Sequence, residues 1–338
     1  MANLRTYDSN MSFDRRSSKL RAYAQERTIL SQFTAEDAAL GGKPGQTHKF
    51  SFRGNLAVPY TTVATPETTR TADNKFSTTQ SSVTLAEYST AVTYTDFAQR
   101  LEDFNERDEN QKALGDWLRK TKDALVYAQL YSTKLLYTPT GTAGAAQTYT
   151  LATGGTVATE ASHSVNSLDL LTMQSILADD YKCPSFEGND KTGKVAPVYV
   201  CVGTRTTLQT IFADSTSGIP SIRSEMGWAY AGKGADAPTV RGFIGTWNGI
   251  MFIEDNFIIP KTIGSTTGGS VGPVNGELLM FGADAVATVT AMKPAIFADP
   301  PEDGGRFLRL VMRGIWANLL LWNDATNKQC RVIRVAST

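Results

Sequence analysis

The chain has 338 residues, 41% of them hydrophobic, enough for two domains or one large elaborated domain around a substantial core. Lysine plus arginine equals aspartate plus glutamate at 33 each, so the formal net charge is zero. That balance argues against a dedicated nucleic-acid binder, which draws its affinity from a positive excess, and it permits close self-association. Three scattered cysteines, Cys183, Cys201 and Cys330, with no CxxC pair, rule out a disulfide framework and read as buried thiols of a reduced, cytoplasmic protein.

Residues 1–45 read as an N-terminal arm, basic at Arg15, Arg16, Lys19, Arg21 and Arg27, with a helix expected near 17–40 that ends at Gly41, Gly42 and Pro44. The first residues carry no apolar signal-peptide run, and no window approaches the roughly 20 apolar residues that span a bilayer. No membrane partner is expected, and the glycosylation sequon at Asn10 should be idle. A strand is expected at THKFSFRG (47–54) and another at VTLAEYSTAVTYT (83–95), where Val83, Leu85, Val92 and Tyr94 alternate with polar residues and the Glu87-Tyr88 centre admits a bulge. Between them residues 55–82 are dominated by threonine and serine, with Pro59, Pro66, Arg70, Asp73 and Lys75. That stretch is too polar for a core. Two strands joined by such a tip make a long hairpin with two open readings, an arm that lies on another molecule or a plain surface excursion.

One long amphipathic helix is expected from Asn105 to Leu136, with apolar positions at Leu114, Trp117, Leu118, Leu125 and Ala128. At 1.5 Å per residue it spans roughly 45 Å. Asn105 is placed to cap it, Glu106, Asp108 and Glu109 oppose the helix dipole, Lys134 sits in the last turn, and Pro139 with Gly141 forbids continuation. Gly115 is a blemish costing about 1 kcal/mol unless a close contact needs it. A Thr/Gly/Ala-rich linker follows. Next comes an alternation of helix (SLDLLTMQSILADDY), buried strand (VAPVYVCVG), helix (TRTTLQTIFADS), glycine-rich loop and strand pair (VRGFIGTWNGIMFIED), which suggests a small α+β or α/β unit. The chain closes with strands at ELLMFG, AVATVTAMKPAIF, RFLRLVMRGIWANLLLW and CRVIRVA.

Catalytic signals fail on context. Gly188 to Val195 (GNDKTGKV) has phosphate-loop spacing, but it ends in valine where a magnesium-holding hydroxyl belongs and precedes a strand instead of opening a helix. It reads as a surface turn. His48 and His163 are the only histidines and lie far apart, so no metal is expected. Ser162, His163 and Ser164 lack an orienting carboxylate and a nucleophile elbow. No cofactor and no catalytic residue is expected, and the chain is read as not an enzyme.

An arm, a long hairpin, a long helix, an inserted unit and returning strands together resemble the order of elements in the Hong Kong 97-type (Johnson) fold of tailed-bacteriophage major capsid proteins. More closely the chain resembles the N-four-like podovirus capsid family. The likeness is carried by VTLAEYSTAVTYTDFAQRLEDFNERDENQKALGDWLRKTKDALV, VRGFIGTWNGIMFIEDNFIIP and MFGADAVATVTAM with the strands after it, and it covers most of residues 45–335. It implies an α+β fold in five parts: arm 1–45; extended hairpin 46–94 lying over a neighbouring subunit; peripheral domain 95–159 with the spine helix; axial domain 160–276; and closing strands 277–338 that complete the peripheral sheet. The function implied is a coat protein that assembles as hexamers and pentamers into an icosahedral head. Its partners would be copies of itself, scaffolding, portal and decoration proteins, and packaged double-stranded DNA, in a virion assembled in the host cytoplasm. On this reading Arg70, Asp73 and Lys75 are candidate inter-subunit contacts, and Arg15, Arg16, Lys19 and Arg21 are candidate interior contacts to DNA phosphates. Trp117 and Leu118 should pack on closing strands at Leu310, Ile315 and Leu319. Two alternatives remain: an encapsulin-type compartment shell, or an α/β enzyme whose site has no recognisable motif.

Overall fold

The computed structural model describes residues 29–38, 47–53, 78–101, 105–140, 148–155, 165–189, 195–213, 242–255, 278–324 and 328–335. In chain order these form a 3-10 turn (Leu30–Phe33), strands β1 (Ala35–Ala38), β2 (Thr47–Arg53), β3 (Thr78–Thr84) and β4 (Ala86–Thr95), and helices α1 (Asp96–Leu101) and α2 (Glu106–Tyr131). Then come β5 (Leu136–Thr140), β6 (Thr148–Ala152), α3 (Ser167–Ser175), β7 (Phe186–Asn189), β8 (Val195–Gly203), α4 (Arg205–Ala213), β9 (Phe243–Trp247) and β10 (Ile250–Glu254). The last are β11 (Leu278–Phe281), β12 (Val286–Ala298), β13 (Phe307–Leu320), the two-residue pair β14 (Asn323–Asp324) and β15 (Gln329–Cys330), and β16 (Val332–Val335).

Two sheets organise the chain. The first has the order β1-β12-β13-β4, with antiparallel ladders from Val286↔Leu320 to Ala298↔Leu310 and from Phe307↔Thr95 to Trp316↔Ala86. The second runs β6-β5-β16-β11-β8-β10-β9, with β7 paired to β8. Its central strands read as continuous apolar runs because both faces are covered. Tyr199, Cys201, Met280 and Ile333 face Leu170 and Met173 of α3 and Leu208 and Ile211 of α4. Val200, Val202, Leu279 and Val332 face Val126 and Leu130 of α2. α2 therefore serves both sheets: Leu114, near its N-terminal end, packs with Tyr94, Leu310 and Met312 on the four-stranded sheet, with Trp117 and Leu118 half-buried beside them.

Several expectations are corrected. The helix expected at 17–40 does not extend over its described part: residues 30–33 make a 3-10 turn and residues 35–38 a strand parallel to β12, while 17–28 lie outside the described residues. Ile29 and Leu30 are core residues, 1% and 0% exposed, so the end of the supposed arm is part of the body. α2 stops at Tyr131, not Leu136. Beyond it the N–H of Lys134 donates to Asn323 Oδ1 at 2.8 Å, Thr133 Oγ1 donates to the carbonyl of Val332 at 2.8 Å, and Leu136–Thr140 joins the larger sheet. The β-favouring run LLYTPT, with a proline that no helix interior accepts, explains the early end. Asn105 does sit at the N-cap position, but its side chain makes no capping bond and instead donates to Asp108 Oδ2 at 2.9 Å. In the C-terminal half of α2 the buried stripe is Asp123, Val126 and Leu130, whereas Ala128 is exposed and Leu125 only half-buried.

The strand expected at 83–95 is two strands. β3 pairs with β2 and β4 pairs with β13, and the break falls at Leu85, just before the centre where a bulge was admitted. Val83 and Leu85 occupy odd positions and Tyr88, Val92 and Tyr94 even ones. A change of partner sheet at Leu85 accounts for that change of parity, since successive side chains in a strand point to opposite faces. On β13, Leu310, Met312, Gly314 and Trp316 face inward, so Ile315 and Leu319, expected under α2, lie on the other parity. The closing strands also divide. β12 and β13 complete the sheet of β4, whereas β11 and β16 enter the larger sheet beside β8, so the strands between 160 and 276 share one sheet with β5, β11 and β16.

Candidate assembly surfaces

The ribbon of β2 and β3 has no fully buried side chain. Its register runs from Thr47↔Thr84 to Arg53↔Thr78, which brings the two ends of segment 54–77 together. One face carries Lys49, Ser51 and Arg53, all exposed, and the other His48, Phe50 and Phe52, all half-buried. His48 stacks edge-on to Phe50 at 4.7 Å, and Phe52 lies 4.4 Å from the ring of Trp322, which is itself covered by Arg331 at 4.7 Å. The ribbon is thus anchored on the body through an aromatic contact at Phe52, one residue from the end of β2. A two-stranded ribbon is marginal alone, and this anchor supplies what its own pairing lacks.

A second surface is the face of the four-stranded sheet turned away from α2. Strand alternation puts Arg309, Val311, Arg313 and Ile315 of β13 there, next to Ala91 of β4 and Phe297 of β12. Phe297 is 38% exposed, with the Arg313 guanidinium 4.8 Å from its ring centroid. Phe97 of α1, 63% exposed, is the most exposed large apolar side chain among the described residues. The sequence reading missed both phenylalanines; the alternation of β13 could have found the Phe297 face, and nothing in the local pattern marks Phe97.

The residues singled out for contacts lie outside the described residues. Arg70, Asp73 and Lys75 fall within 54–77, and Arg15, Arg16, Lys19 and Arg21 within 1–28, outside the described residues. So do Ser162, His163 and Ser164. Gly188 and Asn189 end β7 and Val195 begins β8, its antiparallel partner, so the phosphate-loop spacing joins two strands and presents no helix N-terminus.

The buried acids Asp169 and Asp123 are engaged in structure. Asp169 closes a capping box with Asn166 at the start of α3 and accepts the Tyr137 hydroxyl at 2.6 Å. Asp123 accepts backbone N–H groups of the 29–31 segment. Burial raises the Cys183 thiol to about 11 and the Cys330 thiol to about 12, and pushes Cys201 up further, so all three stay protonated and poorly nucleophilic at neutral pH. Among the described residues no group of three His, Cys, Asp or Glu side chains is placed to hold a metal ion, and no helix is long and apolar enough to cross a membrane.

No protein-family model matches the chain, and no curated protein is similar to it in sequence. Solved structures are similar over its whole length. The capsid of Ralstonia phage GP4 matches with a TM-score of 0.66 over 100% of this chain and 99% of that one, at 12% identity. The capsid of cyanophage Pam1 matches at 0.67, again over 100% and 99% with 12% identity. The head structure of Helicobacter pylori bacteriophage KHP40 matches at 0.60 over 97% and 95%, also at 12% identity. At such identities the likeness is one of fold: the chain has the α+β fold of these phage capsids.

Proposed function

We propose that the chain is the major capsid protein of a tailed bacteriophage, assembling as hexamers and pentamers into an icosahedral head that encloses double-stranded DNA. The observation that carries this is the two-way coverage, 100% of this chain and 99% of the GP4 capsid chain. The body supports it: a helix that spans two sheets, a ribbon with no fully buried side chain among its described residues, a partly apolar outer sheet face, and buried acids engaged as caps. A shell subunit works through surfaces that cover several neighbours.

Within that reading the hairpin 46–94 lies over a neighbouring subunit, with Arg70, Asp73 and Lys75 in the contact. The basic residues Arg15, Arg16, Lys19 and Arg21 meet DNA phosphates on the interior face without reading sequence. The axial part comprises 160–276 together with the strands that share its sheet, and kinship with the N-four-like podovirus capsids belongs to the same proposal. Scaffolding, portal and decoration proteins are the further partners. Deleting Pro59 to Thr79 tests the central contact, because this polar stretch has few apolar residues to offer the subunit's own core. The expected outcome is a folded subunit that sediments as small species while the intact chain sediments as shells. Normal particles from the deletion would remove the hairpin from assembly.

A further inference from the structure

The segment Ile29–Ala38 touches both sheets. At its start Ile29 and Leu30 are buried among Val126 and Leu130 of α2 and Val200, Val202 and Phe281 of the eight-stranded sheet. The seating is tight: a Cβ added to Gly242, just before β9, would lie 2.6 Å from Ile29 Cδ1. Phe33 then meets the rings of Phe281 at 5.7 Å and Phe186 at 5.9 Å, edge-on. At its end the segment becomes β1, the edge of the other sheet, pairing Ala35–Ala38 with Ala287–Thr290.

Between these two anchors sits Asp123, 0% exposed on the buried face of α2. Its Oδ2 accepts the backbone N–H groups of Ile29 and, at 3.0 Å, Leu30, and its Oδ1 accepts that of Ser31 at 3.0 Å. The first N–H groups of a helical turn ordinarily find a cap within their own neighbourhood; here the cap comes from more than 90 residues further along the chain. Charge-assisted bonds from three donors to one carboxylate make a strong attachment. None of these contacts belongs to the interior ladders of either sheet. β1 is a four-residue edge, and the β12-β13-β4 and β16-β11-β8-β10 pairings continue without it.

We propose that Ile29–Ala38 is a strap and Asp123 its clasp: the segment opens as a unit while both sheets stay folded, and when closed it fixes the four-stranded sheet against the eight-stranded one. Cooperative units that open below the global free energy are those with few ladder bonds of their own, as here. Opening is uphill because it strips a buried carboxylate of its donors and empties the Ile29 and Leu30 sites, which gives a closed state and an open state with little between. If the chain forms a shell, the strap is where a subunit would adjust the angle between its sheets for different lattice positions. That consequence rests on the proposed function, whereas the strap itself does not.

Native-state hydrogen exchange read by mass spectrometry, on the full-length free subunit at increasing sub-denaturing urea, decides the matter. The amides of 29–31 and 35–38 are expected to exchange at least about tenfold faster than those of β8 and β13, through an opening with a smaller urea dependence. Asp123→Asn is expected to speed the strap amides by a further factor of about ten or more, leaving β8 and β13 at parental rates; Ile29→Ala, which keeps the carboxylate, should give the same pattern. Strap amides of the parent chain that exchange only with global unfolding overturn the proposal, whether or not the variants fold. So does an Asp123→Asn protein in which β8 and β13 speed up as much as the strap. Sedimentation separates the two claims: shells built from subunits whose strap opens only globally refute the strap alone, and an independently opening strap in a chain that never assembles refutes the shell alone.

Discussion

Replacing Trp316 with alanine and with phenylalanine probes how the four-stranded sheet is held. Trp316 is 0% exposed and heads the fully buried side chains in size. It lies opposite Ala86 of β4 and Thr290 of β12, 4.6 Å from the Tyr88 ring and beneath the Lys122 ammonium of α2 at 6.0 Å. A Cβ on Gly314 would stand 2.8 Å from its Cζ3, so the indole fills the space that this glycine leaves. Truncation to alanine opens a void beside a residue with no side chain to collapse into it, and should cost about 3–5 kcal/mol. Phenylalanine keeps one ring. It forfeits about 1–2 kcal/mol of apolar burial, but it also removes an indole N–H that is buried without a hydrogen-bond partner among the described residues, an omission that costs about 1–3 kcal/mol. The two effects oppose, so Trp316→Phe should stay within about 1.5 kcal/mol of the parent. Urea unfolding of the free subunit, followed by far-ultraviolet circular dichroism with unchanged slope, measures both. An alanine variant that loses less than about 1 kcal/mol, or a phenylalanine variant as damaged as the alanine one, refutes this packing.

Gly115→Ala should stabilise the free subunit by roughly 1 kcal/mol, since a Cβ there meets nothing within 4 Å; a loss of stability in urea would show that α2 needs the glycine. Leu114→Ala, at a position 2% exposed, should cost about 2–5 kcal/mol, whereas Trp117→Ala, half-buried on the same cluster, should cost only about 1–2 kcal/mol; the reverse order of unfolding midpoints would mean the helix face is misassigned. Burial lifts Cys183 from 9.0 to about 11 and Cys330 from 9.0 to about 12. The unfolded chain therefore loses these protons first, so their contribution is complete below about pH 9 and is lost as pH climbs towards 11 and 12. Urea midpoints should fall over that window, and less steeply in a Cys183→Ala, Cys330→Ala double variant; an equal fall in both proteins would remove the thiols as the cause.

The signals that survived from sequence to structure were the local ones. The capping charges at Glu106, Asp108 and Glu109 and the apolar run VAPVYVCVG sit where their chemistry puts them. Each depends on neighbours in the chain. What failed depended on distant partners. The end of α2 differs from the expected one because Leu135 and Leu136 are equally apolar in a helix or a strand; the β-favouring residues after them and the pairing of Leu136 with Arg334 together decide for the strand. Asp123 carries no sequence signal of its own, because an aspartate in a helix is ordinarily on a solvated face. Its spacing from Val126 and Leu130 placed it on the buried stripe, but the donors that make burial tolerable come from residues 29–31. The odd-to-even change of apolar positions between Leu85 and Tyr88 is a readable sign that one strand is two, whereas the sequence reading allows only for a bulge at the Glu87-Tyr88 centre. Of the candidate contact surfaces, the ribbon was legible as a hairpin, while the Phe297 and Arg313 face required the register of β12 on β13.

The shell itself is the central claim. Electron microscopy of the purified full chain, alone and with a scaffolding protein, over a range of concentrations, examines it most directly. Closed particles of uniform diameter, built from five-fold and six-fold clusters of one 36.6 kDa chain, are the predicted result. Monomers or dimers alone under every condition, from a chain that unfolds cooperatively, would contradict it.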